Sequence, residues 1–445
     1  MIEICAVGGY SEVGKNMTAI RVDDEVIICD MGFYLPEIIK LQDEDEEVME
    51  KLDRKTLIQY GAIPNDNVIK KWKNDVKAIF VTHCHLDHVG AIAYMAEEYK
   101  APVYGTPFSI EVVKQILKDE KIKIKNKLKT LNSNASVKIS DNITVEFINM
   151  THSTPQTVMI AIHTKYGAII YANDFKFDNT PVLGKKPNYK RLKEIGKKGC
   201  IALIADALYS NADMKTPSEK VARELLKDVL LGTNNKGHLI VVTTFASHIA
   251  RLKSIIEFGK KLNRKIVFMG RSMHKYITAA ENIHLVNFSK DAEIIGMGGQ
   301  IKRKLKQIQK NPDKYMIVCT GNQGEPRAVL TRLALGELPY KLISGDHIIY
   351  SCRVIPAPIN VANRAMQEEK LKQKGVRIFK DIHTSGHAAR EDHRDLIGLI
   401  KPKHLIPAHG DITKLTPMAE LAMELGYAMG KNVHLLRDGQ FLKIE

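Results

Sequence analysis

Cysteine is sparse and unpatterned: Cys5, Cys29, Cys84, Cys200, Cys319 and Cys352 are scattered over 445 residues with no CxxC pair. Free thiols in a cytosolic protein are the expectation. No run of eighteen apolar residues occurs, which excludes a membrane-spanning helix. The start, MIEICAVGGYSEVG, has no basic region followed by an apolar stretch, so no secretory leader is expected. What is present, 44% hydrophobic and 26% charged residues, is too polar for a bundle of membrane spans and too apolar for disorder. The length exceeds what one core usually supports, and two structural domains are expected. Sixty-six Lys and Arg against fifty-one Asp and Glu leave a formal charge of +15, which favours polyanionic partners, nucleic acid among them, and says nothing about fold.

Short β-branched runs, VIICD at 26–30, VKAIFVT at 76–82, VEFIN at 145–149 and GAIIYA at 167–172, alternate with turns, while 91–100 and 107–120 carry helical spacing. Strands covered by helices give an α/β class. From about residue 210 the texture becomes a repeated β-α-β rhythm. TPSEKVARELLKDVL starts a helix with a cap at Thr216 or Ser218, and HLIVVTTFA and KIVFMG read as buried strands. The division expected is therefore 1–209 and 366–445 as two parts of one outer domain, with 210–365 inserted. The acidic stretch at 43–50 reads as a solvated loop or helix start, with an interaction element as the alternative.

The strongest chemical signal is THCHLDHVGAI at 82–92, directly after a predicted strand. With sixteen histidines in the chain, an HxHxDH match arises by chance in about one such chain per thousand. His83 and His85 can take one metal, and Asp87 and His88, at the start of the next helix, a second. Imidazole with carboxylate suits Zn²⁺, and the mixed set also accepts Mn²⁺ or Mg²⁺. Two ions need further ligands. His152, Asp174 and His409 each follow a strand and are assigned that role, with Asp174 as the carboxylate that bridges ions roughly 3.5–4 Å apart.

With these residues in place the chain resembles the metallo-β-lactamase superfamily and, within it, the β-CASP nucleases. Ribonuclease J in its short archaeal form is the nearest resemblance, carried by GGYSEVGKNM at 8–17, HCHLDH at 83–88, TTFASHIARL at 243–252, CTGNQGEP at 319–326 and TSGHA at 384–388. The resemblance implies an αββα metallo-β-lactamase sandwich interrupted by a β-CASP α/β domain. It implies Asp30 as a carboxylate that braces the ligand loop without binding metal. It implies Asp206 and His387 as a catalytic pair beside Asp87, the carboxylate keeping the imidazole protonated so that it can donate to the leaving oxygen. Neither KH domains before the fold nor a separate domain after it are expected. Two departures bear on substrate contacts: Ala207, Leu208 and Tyr209 replace a Ser-Thr-Asn stretch, and Ala357, Pro358 and Ile359 replace a polar Gly-Asn turn.

The activity implied is a 5′→3′ exoribonuclease on single-stranded RNA that favours 5′-monophosphate ends. An endoribonuclease of the same fold and a non-catalytic RNA-binding or scaffold protein are the alternatives. Gly321, Asn322, Gln323 and Gly324 can form a phosphate-sized nest or a plain tight turn. Ser385, Gly386 and His387 are expected against RNA phosphates. Lysines alternate through 118–129 and cluster at 302–310, either as solvated faces or as phosphate contacts. A homodimer, and association with other RNA-decay proteins, complete the expectations.

Overall fold

The computed structural model describes residues 1–44 and 52–444, which fall into two compact units. Asp43 and Glu44 end the helix Leu35–Glu44, and the rest of the acidic stretch lies outside the described residues.

The first unit comprises Met1–Asn179, Gly184–Thr216 and Ser385–Glu445. It holds two sheets. One has the strand order Phe441–Ile444, Ile2–Gly8, Met17–Val22, Glu25–Cys29, Val76–Phe80, Val103–Gly105, Leu128–Thr130; the other runs His404–Ala408, Cys200–Asp206, Gly167–Ala172, Val158–Thr164, Thr144–Asn149, Ser136–Lys138. The GAIIYA run shows why the sheets stack. Ile169 and Tyr171 face the core shared with Ile4, Ile20 and Phe80 of the first sheet. Ile170 and Ala172 point the other way, against Leu192, Ile195, Leu396 and Met418. Those four belong to helices Tyr189–Lys198, Arg390–Ile400 and Ile412–Glu424. A strand buried on both faces has no polar alternation, so it reads as a continuous apolar run. Helix Pro107–Asp119 buries Phe108, Ile110 and Val113 and covers the first sheet's outer side, completing an αββα sandwich.

The second unit, Thr180–Leu183 with Pro217–Thr384, has one six-stranded sheet. Its order is Ala292–Ile295, Lys265–Met269, Tyr315–Cys319, Ile240–Thr243, His347–Tyr350, Arg377–Phe379, and every pairing is parallel. Parallel neighbours need crossover connections, and the helices of the β-α-β rhythm supply them. Helix Glu219–Gly232 opens at Ser218, whose side chain accepts from the Lys220 N–H.

These limits differ from 210–365. Residues 210–216 stay with the first unit because Ser210 Oγ donates to the Lys414 carbonyl at 3.0 Å and the Thr216 N–H reaches Asp392 at 2.8 Å. Residues 366–384 stay with the second because Arg377–Phe379 adds the edge strand beside His347–Tyr350.

The second unit also encloses a fully buried Arg251. Its Nε and Nη2 donate to the two oxygens of Glu219 at 2.5 and 2.8 Å, and Nη1 donates to the carbonyls of Ser351 (2.8 Å) and Ile382 (3.1 Å). Burial would raise the Glu219 pKa, but Arg251 and His248 beside it hold the carboxyl well below its usual range. Removing one partner of such a pair strands the other charge in the interior, so Arg251→Ala should cost about 3–5 kcal/mol. Thermal denaturation of the full chain checks this, with Arg251→Lys expected to retain part of the loss.

Candidate metal centre

Every sequence-assigned ligand lies in the first unit, past the end of a strand or, for Asp87 and His88, on the short helix Leu86–Val89 that follows one. Strands Glu25–Cys29 and Val76–Phe80 run parallel and deliver Asp30 and the 82–88 loop. Strand Cys200–Asp206 is parallel to both Gly167–Ala172 and His404–Ala408, which deliver Asp174 and His409. Both sheets thus end in polar groups at one edge. Asp30, Asp174 and His409 leave their strands with φ of 62°, 36° and 61°. Non-glycine residues reach that left-handed region only when their surroundings over-determine it.

Two donor clusters result, with a third grouping that overlaps both. His83, His85, His152 and Asp174 form one, Asp87, His88 and His409 the other, and Asp174, His387 and His409 the overlap, each with ligand atoms within 4.8 Å of one another. In the first, His83 Nε2 and His152 Nε2 lie 3.0 and 3.2 Å from His85 Nδ1. Asp174 stands between them with one oxygen toward each cluster. Its Oδ2 is 3.5 Å from both His83 and His152, and its Oδ1 is 3.3 Å from His88 Nε2 and 3.7 Å from His409 Nδ1. Oδ1 is buried and makes no hydrogen bond among the described residues. A buried carboxylate oxygen without a donor, facing convergent imidazole nitrogens, fits a pair of divalent cations.

The groups behind the ligands set which ring nitrogen faces the cluster. Asp30 accepts from His88 Nδ1 at 2.8 Å and from the Thr82 N–H and Oγ1 at 2.8 and 3.0 Å, so it ties the ligand loop to the neighbouring strand without entering the donor set. His152 Nδ1 donates to the Gly386 carbonyl at 2.7 Å, leaving Nε2 for the cluster. A side chain at 386 would meet the His152 ring, since a Cβ there falls 2.8 Å from it. His409 Nδ1 lies 2.9 Å from Asn16 Oδ1, and Asn16 Nδ2 donates to the Asp87 carbonyl at 3.0 Å. Asn16 and Thr82 carried no role in the sequence reading. Asn16 stands in the GGYSEVGKNM motif, but only the fold brings it to ligands far along the chain.

Burial lowers the pKa of His83, and it drives His85 and His152 well below the ordinary range, further depressed by neighbouring imidazoles. Neutral imidazole is the ligating form. His88 goes the other way: burial opposes its charge, yet Asp174, Asp87 and Asp30 lift it well above normal.

His387 stands at the rim of the same edge. Its Nδ1 is 2.8 Å from Asp206 Oδ2, its Nε2 is 3.9 Å from Asp174 Oδ2, and its ring centroid is 5.9 Å from that of Tyr209. Burial works against protonation, but Asp174 and Asp206 outweigh it and raise His387 to about 9. Ser385 Oγ accepts the His387 N–H at 3.0 Å and so shapes the turn that carries it.

The Gly321–Gly324 loop belongs to the second unit. Gly321 and Gly324 have φ of 112° and 79°, as an amide nest requires. The loop nevertheless spends its own donors: the Gly324 N–H turns back to the Gly321 carbonyl at 3.3 Å, and the Gln323 N–H is taken by Glu325 at 2.9 Å. Asn322 and Gln323 are buried, and Gln323 spans to the Arg353 carbonyl and the Ile355 N–H. Of the nest and the tight turn that the sequence leaves open, the hydrogen bonds at Gly324 and Gln323 give a closed turn with a carboxylate of its own.

Comparison with known proteins matches three family profiles: "Metallo-beta-lactamase superfamily" over residues 11–229, "Ribonuclease J, beta-CASP domain" over 237–368, and "Zn-dependent metallo-hydrolase RNA specificity domain" over 376–436. The chain is 48% identical to ribonuclease J of Methanocaldococcus jannaschii, over 100% of this chain and 99% of that protein. It is 43% identical to ribonuclease J of Pyrococcus abyssi, covering 97% of it, and 31% identical to ribonuclease J 1 of Streptococcus pyogenes, covering 74%. A crystal structure of an Enterococcus faecalis protein of unknown function shares the fold, with a TM-score of 0.65, 17% identity and 99% of each chain covered. Profiles, relatives and the donor set at the sheet edge agree: the chain belongs to the ribonuclease J family, a β-CASP branch of the metallo-β-lactamase superfamily.

Proposed function

We infer that this chain is a metal-dependent ribonuclease that shortens single-stranded RNA in the 5′→3′ direction and favours 5′-monophosphate ends. The observation that carries the reading is the Asp206–His387 pair set 3.9 Å from the bridging position of Asp174. His83, His85, His152 and Asp174 would hold one ion, and Asp87, His88, His409 and Asp174 the other. Zn²⁺ suits this donor set best, with Mn²⁺ or Mg²⁺ also accommodated. Such a pair, when bound, supplies charge stabilisation for an in-line displacement at phosphorus.

The chain's own residues do the rest. Asp30, Asn16 and the Gly386 carbonyl keep the ligating nitrogens facing the clusters. As a water oxygen bonds to phosphorus in line and the P–O3′ bond breaks, His387, protonated through Asp206, delivers its Nε2 proton to the leaving 3′-oxygen. The Ser385–Gly386–His387 turn and the 321–324 loop are assigned to RNA phosphates, the latter through groups other than the Gly324 amide. A cytoplasmic homodimer is the assembly proposed. Among the described residues no helix is long and apolar enough to cross a membrane.

Direction and end preference are read in one assay, with 3′-labelled RNA bearing a 5′-monophosphate, triphosphate or hydroxyl. Stepwise shortening from the monophosphate end without internal fragments is expected; equal cutting of a circular RNA would reject exclusive exonuclease action and favour the endonuclease. His85→Ala and Asp174→Ala should each abolish cleavage while retaining RNA affinity in a filter-binding assay. Chelation of the wild-type protein should do the same, and turnover by metal-free protein would overturn the mechanism. His387 acts as an acid, so activity is present while it is protonated and falls as pH rises through its pKa. Asp206→Asn removes a carboxylate that raises that pKa, and the alkaline limb of the kcat profile should move to lower pH by about one pH unit. An unmoved limb would remove His387 as the acid.

A further inference from the structure

The lysine stretch after helix Pro107–Asp119 is not used by the metal-centre chemistry. Lys121, Lys123, Lys125, Lys127 and Lys129 are all exposed, while Ile122, Ile124, Asn126 and Leu128 between them are partly buried. The alternation turns each lysine to solvent along a chain that leaves a helix-end turn at Lys121 (φ 56°), bends at Asn126 and becomes strand at Leu128. The track is pinned. Asn126 Nδ2 reaches the carbonyls of Ala96, Tyr99 and Ala101 at 2.8–2.9 Å, the Lys125 N–H donates to Glu97 at 2.8 Å, and the Val103 N–H donates to the Lys127 carbonyl at 3.0 Å.

Flanking lysines are neutralised, Lys114 by Glu111 at 3.2 Å and Lys138 by Asp141 at 2.6 Å. In the second unit's basic stretch Lys304 likewise pairs with Glu293. Lys121, Lys123, Lys125 and Lys127 make no ion pair among the described residues, and Lys129 donates only to the Tyr104 hydroxyl at 3.1 Å. The track ends in strand Leu128–Thr130, which lies parallel to Val103–Gly105, itself parallel to Val76–Phe80. Lys129 is in register with Tyr104 and through it with Phe80, two strand spacings or about 10 Å away, and His83 follows Phe80 by three residues.

We propose that this lysine track is a second RNA-binding surface that holds the phosphate backbone of a strand engaged at the metal centre. Alternate residues of an extended chain are about 6.7 Å apart, a rise that a stretched single strand can follow one phosphate per lysine. The five lysines offer room for several nucleotides and no base-specific group. The proposal rests on the ribonuclease reading. A plain alternative is that these lysines only keep a sheet edge from pairing with another chain.

The test compares the full-length protein with its Lys121→Gln, Lys123→Gln, Lys125→Gln, Lys127→Gln variant. Affinity is measured by fluorescence anisotropy across a KCl series, using a phosphorothioate 30-nucleotide RNA and a 5-nucleotide RNA, both 5′-monophosphorylated. The variant should bind the long RNA about tenfold or more weakly, with the slope of log Kd against log salt smaller by up to about 0.7 per lysine, and the short RNA within about twofold. An unchanged slope overturns the proposal, and unchanged RNA binding with new self-association in sedimentation assigns the lysines to edge protection. Loss of binding to an acidic peptide with RNA affinity intact would assign the track to a protein partner instead, and equally overturns it. Failure of the wild-type chain to cleave an unmodified 5-nucleotide RNA would sink the ribonuclease reading, whereas normal cleavage with no effect of the substitutions sinks the track alone.

Discussion

The edge of the sandwich is organised around the carboxylate of Asp174. Buried at the end of its strand, it lies within 4 Å of imidazole nitrogens from His83, His88, His152, His387 and His409. These five rings come from four separate stretches of chain. A carboxylate in such a place is costly unless its charge is met. Protonated histidines meet it in part, but burial keeps His83 and His152 below their usual pKa, so the full set is balanced only with cations between the rings and the oxygens. Rings and carboxylate together suit divalent ions, and neither suffices alone: neutral rings cannot compensate the carboxylate, and the carboxylate alone cannot fix geometry.

The surrounding fold works to hold that arrangement still. Parallel strands from both sheets end at one level, which puts loops of quite different sequence position side by side. Asp30, Asn16 and the Gly386 carbonyl then each take one ring nitrogen and leave the other for the cluster. Orienting partners of this type are worth a large share of metal affinity. The left-handed backbone at Asp30, Asp174 and His409 is the cost of aiming three side chains inward from strand ends.

How much of this could be read from the sequence follows from the range of each interaction. The ligand loop is local: HCHLDH packs four donors into six residues, and composition alone makes it improbable by chance. The buried runs such as GAIIYA announce strands because both faces are covered. Asp30, Asp206 and His387 were legible only through resemblance, since nothing within a few residues of them marks a role. Asn16, Thr82 and the 386 carbonyl were not assigned, because a backbone oxygen has no sequence signature and Asn16 acts on His409, 393 residues away. The same limit explains the domain boundary. Arg377–Phe379 is a short strand whose allegiance is settled by hydrogen bonds to His347–Tyr350 rather than by its own pattern. At the Gly321–Gly324 loop both glycines take positive φ, while the amides' partners, one of them Glu325, depend on side chains that the glycine pattern does not weigh.

The charge of the chain and the charge of its site have opposite signs, and this orders events. The chain carries +15 overall, yet the edge that would meet a phosphodiester gathers Asp30, Asp87, Asp174 and Asp206. Asp87 and Asp174 are both held ionised by the histidines beside them. A polyanion approaching that edge without metal meets repulsion in a low-dielectric setting, where it is strongest. Cation binding inverts the local field. The long-range positive potential therefore attracts RNA to the molecule as a whole, while the carboxylate-rich edge admits a phosphate only when its ions are in place. Metal loading therefore bears on the scissile phosphate at this edge, while the affinity that the rest of the chain has for RNA does not depend on it.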